Sequence, residues 1–210
     1  MQHPYRKHLI INPISMIKSF KKIFLLVIMS GLITFLYSCS STPIPKSRGY
    51  FRLEFPAKNY VLFDSIFPYK FYYPAYGKIK ADIQPGAEKY WINIDFQKYK
   101  ARIHISYKNV NGNVDNLIED VRTLAYKHTI KADAINEKIF ANPEKKVYGI
   151  LYDIRGNAAS SLQFYVTDSV KHFLRGALYF NVHPNKDSLS PAVEFFGKDM
   201  THLIESIEWK

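Results

Sequence analysis

The 210-residue sequence has a single cysteine, Cys39, so the chain cannot form an intramolecular disulfide bond. It contains no Gly-x-Ser-x-Gly elbow, His-Glu-x-x-His pair, Walker loop or paired-glycine nucleotide fingerprint. No Lys/Arg run is longer than two residues, and nucleic-acid-binding motifs are missing. These absences predict a protein that is not an enzyme, holds no cofactor or metal and binds no nucleic acid.

What the chain does have is a short hydrophobic run in front of its one cysteine. Lys18, Lys21 and Lys22 form a positive patch, and the stretch from Ile23 to Leu36 is almost wholly apolar. These fourteen residues are fewer than the roughly 18–20 that a permanent membrane-spanning helix needs. Together with the small residue before Cys39, the pattern resembles a bacterial lipoprotein signal. An uncleaved anchor helix is the alternative.

The lipoprotein resemblance implies that residues 1–38 are a signal peptide and that Cys39 is acylated. Residues 1–15 are interpreted as a mis-called start or a dispensable extension, because Met16 would give the signal a compact charged segment. Residues 39–48 then form a lipid-anchored tether with no acidic cluster after the cysteine, which favours a periplasm-facing protein. Without residues 1–38 the net charge falls from +11 to +6, which suits a protein held against anionic lipid headgroups.

Residues 49–210 are predicted to form a single domain of the α+β class. Alternating apolar residues predict the strands Tyr50–Phe55, Phe67–Tyr73, Trp91–Phe96, Ala101–Tyr107, Ile135–Ala141, Val147–Ile154, Ser161–Thr167 and His172–Val182. Helical spacing predicts one helix from Asn113 to about His128 and another that begins at Ser190-Pro191. The order indicates an antiparallel β-sheet packed against helices, similar to the PsbP/Mog1-like sandwich. The prolines around Phe67–Tyr73 indicate an edge strand, and its many aromatic residues favour a partner-binding surface.

The second predicted hairpin and its neighbours give the sharpest candidate site. Its charged and titratable residues are Asp153, Arg155, Asp168, His172 and Arg175. They are interpreted as an ion-pair or interaction cluster at the end of a hairpin. A serine hydroxyl of Ser160 or Ser161, with His172 and an aspartate, would also form a hydrolase triad on paper.

Four segments of the sequence are distinctive: Pro45–Arg52, Gly156–Phe164, Thr167–Phe180 and Asp199–Trp209. Together they resemble the gliding motility lipoprotein GldD family of Bacteroidetes. The resemblance implies an accessory lipoprotein of the gliding machinery and the linked type IX secretion system. It implies envelope proteins as partners, and neither an enzyme activity nor catalytic residues. A module that binds peptidoglycan or another glycan remains the alternative, with a hydrolase third.

Overall fold

The computed structural model describes residues 21–31 and 54–210. Contacts divide the chain into two compact units, Met1–Gly49 and Tyr50–Lys210. In the first unit, residues 21–31 form helix α1, which lies within the predicted signal peptide. No helix in the described part of the chain is long and apolar enough to cross a membrane. Cys39 and the tether lie outside the described residues.

The second unit is built on two antiparallel sheets. The larger has the strand order β3-β4-β5-β9-β8-β7-β6, and the smaller has the order β1-β2-β10. The strands are β1 (Tyr60–Phe63), β2 (Tyr69–Pro74), β3 (Lys78–Ala81), β4 (Ile92–Phe96), β5 (Ala101–Asn109), β6 (Ala132–Asn142), β7 (Val147–Gly156), β8 (Ser160–Thr167), β9 (His172–Phe180) and β10 (Glu208–Trp209). The helices are α2 (Val114–Tyr126) and α3 (Lys186–Ser206), with short 3-10 turns at Gln97–Tyr99 and Lys127–Ile130.

The larger sheet has a hydrophobic core on each face, because side chains alternate along its strands. Helix α3 and the smaller sheet pack on one face, where Phe196 and Met200 of α3 meet Phe164 of β8. Helix α2 packs on the other face, where Val121 meets Tyr165. The two faces are called the α3 face and the α2 face below. The predicted α+β class, an antiparallel sheet packed against helices, is confirmed.

The long strands and their hairpins agree with the sequence prediction. Strands β4 and β5 pair with Ile92 opposite Ile105, and β8 pairs with β9 with Thr167 opposite Phe173. Strands β1, β3 and β10 were missed, because each has four residues or fewer and shows little alternation.

The predicted edge strand is not at an edge. Strand β2 lies between β1 and β10 in the smaller sheet. Its aromatic residues Tyr69 and Phe71 turn inward and are fully buried, whereas Tyr72 is exposed. The aromatic crowding therefore belongs mainly to the core. Glu54 and Phe55, the described residues of the predicted first strand, are not in a strand.

Helix α3 begins five residues earlier than the sequence predicts. Its N-cap is Asn185, whose side chain accepts hydrogen bonds from the backbone N–H groups of Asp187 and Ser188. Pro191 therefore lies inside the helix rather than in its first turn. The pair Ser190-Pro191 mimics a helix start, but the true cap satisfies the exposed N–H groups with a side-chain acceptor.

Candidate interaction surface

The five residues of the predicted cluster do not come together in the structure. Asp153 and Arg155 form one pair on β7, with Arg155 Nε 3.2 Å from Asp153 Oδ2. Their pairing partners show that both side chains belong to the α3 face, since Asp153 lies opposite Leu162. Arg155 is 67% exposed, so this ion pair contributes little to stability.

Asp168 shapes the tight turn between β8 and β9. Its Oδ1 atom accepts hydrogen bonds from the backbone N–H groups of Val170, Lys171 and His172 at 3.0, 2.8 and 2.8 Å. Burial alone would raise the pKa of this carboxyl group, but the three backbone hydrogen bonds outweigh it and lower the pKa. Asp168 therefore acts as a turn-forming residue, and it touches His172 through the backbone.

His172 packs into an aromatic corner on the α3 face. Its Nδ1 atom lies 2.8 Å from the Tyr107 hydroxyl, and its ring stacks on Trp209 with the ring centres 5.1 Å apart. Burial lowers the pKa of His172, although the nearby Asp168 charge acts in the opposite direction. Burial therefore favours the uncharged imidazole, and packing holds the ring in place.

Arg175 lies on the opposite side of the sheet from His172. The two residues are three positions apart on one strand, so their side chains face opposite ways. Arg175 donates a hydrogen bond to Gln163 at 3.2 Å, while its buried Nε has no partner among the described residues. The sheet therefore separates Arg175 from the rest of the predicted cluster.

The serine and histidine of the hypothetical triad lie at opposite ends of β8. Ser160 begins this eight-residue strand, and His172 follows the turn at its far end. At about 3.4 Å per residue, the two residues are separated by roughly 25 Å. Ser160 Oγ instead donates to the backbone carbonyl of Leu178 at 3.0 Å and is fully buried. These residues do not form a hydrolase triad.

The buried residue Asp199, which the sequence analysis did not single out, joins helix α3 to the segment around β1 through polar contacts. Asp199 is fully buried, and its carboxylate accepts hydrogen bonds from Tyr60 at 2.9 Å and Tyr76 at 2.5 Å. Lys58 Nζ lies 2.8 Å from the same carboxylate and also donates to the Phe195 carbonyl at 2.9 Å.

Burial and the charge of Asp199 both shift the pKa values of the groups around Asp199. Burial raises the pKa of Tyr60 and Tyr76, and the hydrogen bonds to Asp199 raise it further. Burial lowers the pKa of Lys58 despite the attraction of Asp199. The network is a stabilising contact between the segment before β1 and helix α3. Its polar groups form hydrogen bonds and an ion pair with one another.

An open groove lies between α3 and the outer strands β6 and β7. It has a volume of about 1640 Å³. Its walls carry Asn136 and Lys138 of β6, the Asp153–Arg155 pair of β7, and charged residues of α3 such as Glu205. A smaller depression of about 520 Å³ shares Lys138 and Glu205 and continues past Phe140 to the end of β6. We call these two depressions together the α3–β6 groove.

Three ion pairs lie along the walls of the α3–β6 groove: Lys186–Asp133, Arg155–Asp153 and Lys198–Glu194. Lys186 of α3 reaches Asp133 of β6 at 2.6 Å and closes one end. At its centre, Lys138 lies over the Phe140 ring, with Nζ 4.7 Å from the ring centre. Open walls with charges of both signs allow the groove to contact a polar macromolecule.

The uncovered part of the α2 face holds a second polar depression, of about 860 Å³. Its centre is Asp95, which contacts Arg102 at 2.6 Å and Lys80 at 3.0 Å. Burial opposes ionisation of Asp95, but these two cations outweigh it and lower its pKa. Across residues 21–31 and 54–210, no three histidine, cysteine, aspartate or glutamate residues are grouped so that they could hold a metal ion.

Comparison with known proteins identifies the family. The family model of the gliding motility lipoprotein GldD matches residues 40–209. The chain belongs to this family. It is therefore a membrane-associated lipoprotein of the cell envelope with an accessory role in gliding motility. The resemblance seen in the sequence is confirmed.

No curated protein matches the chain. Among solved structures, it is similar to the solution structure of cyanobacterial PsbP (CyanoP) from Synechocystis sp. PCC 6803. The identity is 13%, the match covers 78% of this chain and 99% of that chain, and the TM-score is 0.45.

Proposed function

We propose that this protein is anchored by an acyl chain on Cys39 and binds envelope proteins of the gliding machinery and the linked type IX secretion system. Its domain faces the periplasm, and it acts by binding rather than by catalysis. The observation that carries this proposal is the match of the gliding motility lipoprotein family to residues 40–209. The matched range starts directly after Cys39, which supports acylation of that residue.

The surface of the domain supports a protein partner. Small-molecule sites usually enclose most of the surface of their ligand. The α3–β6 groove is instead open and is lined by charges of both signs, including Lys138 and Glu205. Protein interfaces are commonly polar at their rim, and ion pairs across them give specificity.

The proposal is tested by replacing Cys39 with serine in the native host. Cys39→Ser cannot be acylated, so the protein should leave the membrane fraction, and colony spreading and type IX secretion should both fall. Ser41→Ala is the matched control, because it changes a neighbouring serine and keeps the cysteine. Normal membrane location, spreading and secretion in the Cys39→Ser strain would contradict the proposal.

The partner is identified by crosslinking affinity-tagged protein in the host and analysing each membrane fraction. Gliding or secretion components should be captured from wild-type cells. Capture of peptidoglycan fragments without an envelope protein would contradict protein binding. A secretion defect without a spreading defect would limit the role to secretion.

A further inference from the structure

Strand β6 forms a long open edge of the larger sheet. It has eleven residues, more than any other described strand, and among the described strands it pairs only with β7. At about 3.4 Å per residue it offers roughly 37 Å of edge, along which every second residue directs its N–H and C=O groups outward. None of its residues is buried.

The other edges of the two sheets are much shorter. Strands β3 and β1 have four residues each, and β10 has two. Short edge strands are one way in which proteins avoid unwanted strand pairing. The edge of β6 is therefore the exception in this domain.

Strand β6 carries charged side chains such as Lys138, but it lacks other features that protect an edge. It contains no proline, and Pro143 comes only after its last residue. Its single irregularity lies at the start, between Ala132 and Ala134, and the register is regular from Ala134 to Asn142. Ile139 near its centre is 76% exposed. A long, regular edge with an exposed apolar residue is suited to the addition of another strand.

The two faces of β6 present different chemistry. Glu137 and Ile139 lie opposite Tyr152 and Ile150 of β7, which places them on the α2 face. Lys138 lies opposite Leu151 and borders the α3–β6 groove. An added strand would therefore meet an acidic and an apolar side chain on one face, and a basic side chain on the other.

The charge pattern disfavours pairing with a second copy of the chain. Antiparallel self-pairing centred on Glu137 places the two Glu137 side chains directly opposite each other. Centred on Lys138, it opposes two lysines in the same way. Centred on Ile139, it places Lys138 opposite Phe140 and Glu137 opposite Ala141, so neither charge gains an oppositely charged partner. Like charges directly opposite are destabilising, whereas opposite charges contribute favourably. The pattern thus complements a different chain with the charges reversed.

We propose that the outer edge of β6 binds an extended segment of another envelope protein, which adds to the larger sheet as an eighth, antiparallel strand. Read from its N-terminus to its C-terminus, this segment has an apolar, an acidic and a basic residue in succession. They lie opposite Ile139, Lys138 and Glu137, because the added strand runs antiparallel to β6. Backbone hydrogen bonds supply the affinity, and the three side chains supply the specificity. The inference rests on the proposed protein-binding function and names the surface that performs it.

The edge is tested in the host with a photo-crosslinking residue, Ile139→p-benzoylphenylalanine. The matched control is the same substitution at Ile83, which is 92% exposed and lies between β3 and β4. Position 139 should crosslink to an envelope protein, at a segment with the apolar–acidic–basic pattern, and position 83 should not. A crosslink from position 139 to a second copy, or to the N-terminal residues of the same chain, would overturn the inference.

The strand pairing is tested with purified full-length protein in detergent and a fluorescent peptide. The probe is a blocked nine-residue peptide of alternating valine and threonine with isoleucine–glutamate–lysine at its centre. It should slow hydrogen exchange of residues 132–142. The double variant Glu137→Lys/Lys138→Glu should bind it about tenfold more weakly, because two attractive pairs become repulsive. A peptide with the glutamate and lysine exchanged should restore the affinity.

Two results of the peptide experiment would overturn the inference. In the first, the wild-type protein binds the isoleucine–glutamate–lysine peptide and the exchanged peptide with equal affinity. In the second, millimolar peptide does not slow hydrogen exchange of residues 132–142. The results also separate this inference from the proposed function. If tagged protein captures envelope partners while position 139 crosslinks to none, only the β6 inference fails. If no envelope partner is captured and Cys39→Ser has no effect, the proposed function itself fails.

Discussion

The buried Asp199 carboxylate offers the sharpest test of what stabilises the domain. Asp199→Asn keeps the shape of the side chain but removes its charge. Lys58, whose side chain is only 28% exposed, then loses its counter-ion. Tyr60 and Tyr76 also lose the charged acceptor of their hydroxyl hydrogen bonds. Bonds to a charged group are roughly twice as strong as neutral ones.

The expected loss is large relative to the stability of a domain. Removing one partner of a buried ion pair costs about 3–5 kcal/mol, and partial access of water to Lys58 places this case at about 3 kcal/mol. Typical unfolding free energies are only about 5–15 kcal/mol. With a urea m-value of about 2 kcal/mol/M, the unfolding midpoint should fall by about 1.5 M.

The measurement is urea unfolding followed by tryptophan fluorescence, since Trp91 and Trp209 both pack against the core. Glu194→Gln is the matched control, because Glu194 lies on the same helix, is 76% exposed and pairs with Lys198 only at the surface. The control should change the unfolding free energy by less than about 0.5 kcal/mol.

A double-mutant cycle tests whether Lys58 and Asp199 act as a pair. Lys58→Met leaves the carboxylate without its cation. The double variant Lys58→Met/Asp199→Asn should lose about 1–3 kcal/mol less than the sum of the two single losses. If Asp199→Asn matches Glu194→Gln, or if the two losses simply add, the reasoning about the buried network is refuted.

Two further predictions concern packing and pH. A Cβ atom on Gly176 would lie 2.1 Å from the Phe164 ring, so Gly176→Ala should lower the unfolding free energy by about 1–3 kcal/mol. A Cβ atom on Gly197 of α3 would lie 3.4 Å from Leu162, an ordinary contact distance, so Gly197→Ala should raise the unfolding free energy by up to about 1 kcal/mol. The urea midpoints of both variants check this, and equal effects would contradict it. Burial lowers the pKa of His172, so its contribution to stability is present above pH 6.5 and is lost as the pH falls towards the folded-state pKa. Urea midpoints between pH 7.5 and 5.5 should therefore fall less steeply in His172→Gln than in the wild type, while the control His183→Gln, at an exposed position, should keep the wild-type slope.

Sequence patterns predicted the parts of the fold that depend on local chemistry. Apolar alternation located the β4–β5 and β8–β9 hairpins, and helical spacing located α2 and the apolar stripe of α3. Strands of two to four residues were missed, because such a short run contains too few alternations to stand out. The central place of β2 could not be predicted either, since its partner β10 lies at the other end of the chain.

The predicted charge cluster failed for a geometric reason that the sequence already contained. His172 and Arg175 are an odd number of residues apart on one strand, so a regular sheet must place them on opposite faces. Ser160 and His172 occupy opposite ends of the β8–β9 hairpin once Thr167 pairs with Phe173. Residues that are close in sequence around a hairpin therefore need not form one site. Whether they are separated by an odd or an even number of positions better predicts whether their side chains share a face of the sheet.

Only part of the Asp199 network could be predicted from the sequence. Asp199 stands between Phe196 and Met200 on the apolar stripe of α3, and a carboxylate at such a position must find partners when it is buried. Helical spacing thus identifies the residue that needs a partner. It cannot identify the partner, because Tyr60 approaches from 139 residues earlier in the chain. Only the tertiary packing of the segment before β1 against α3 brings the two together.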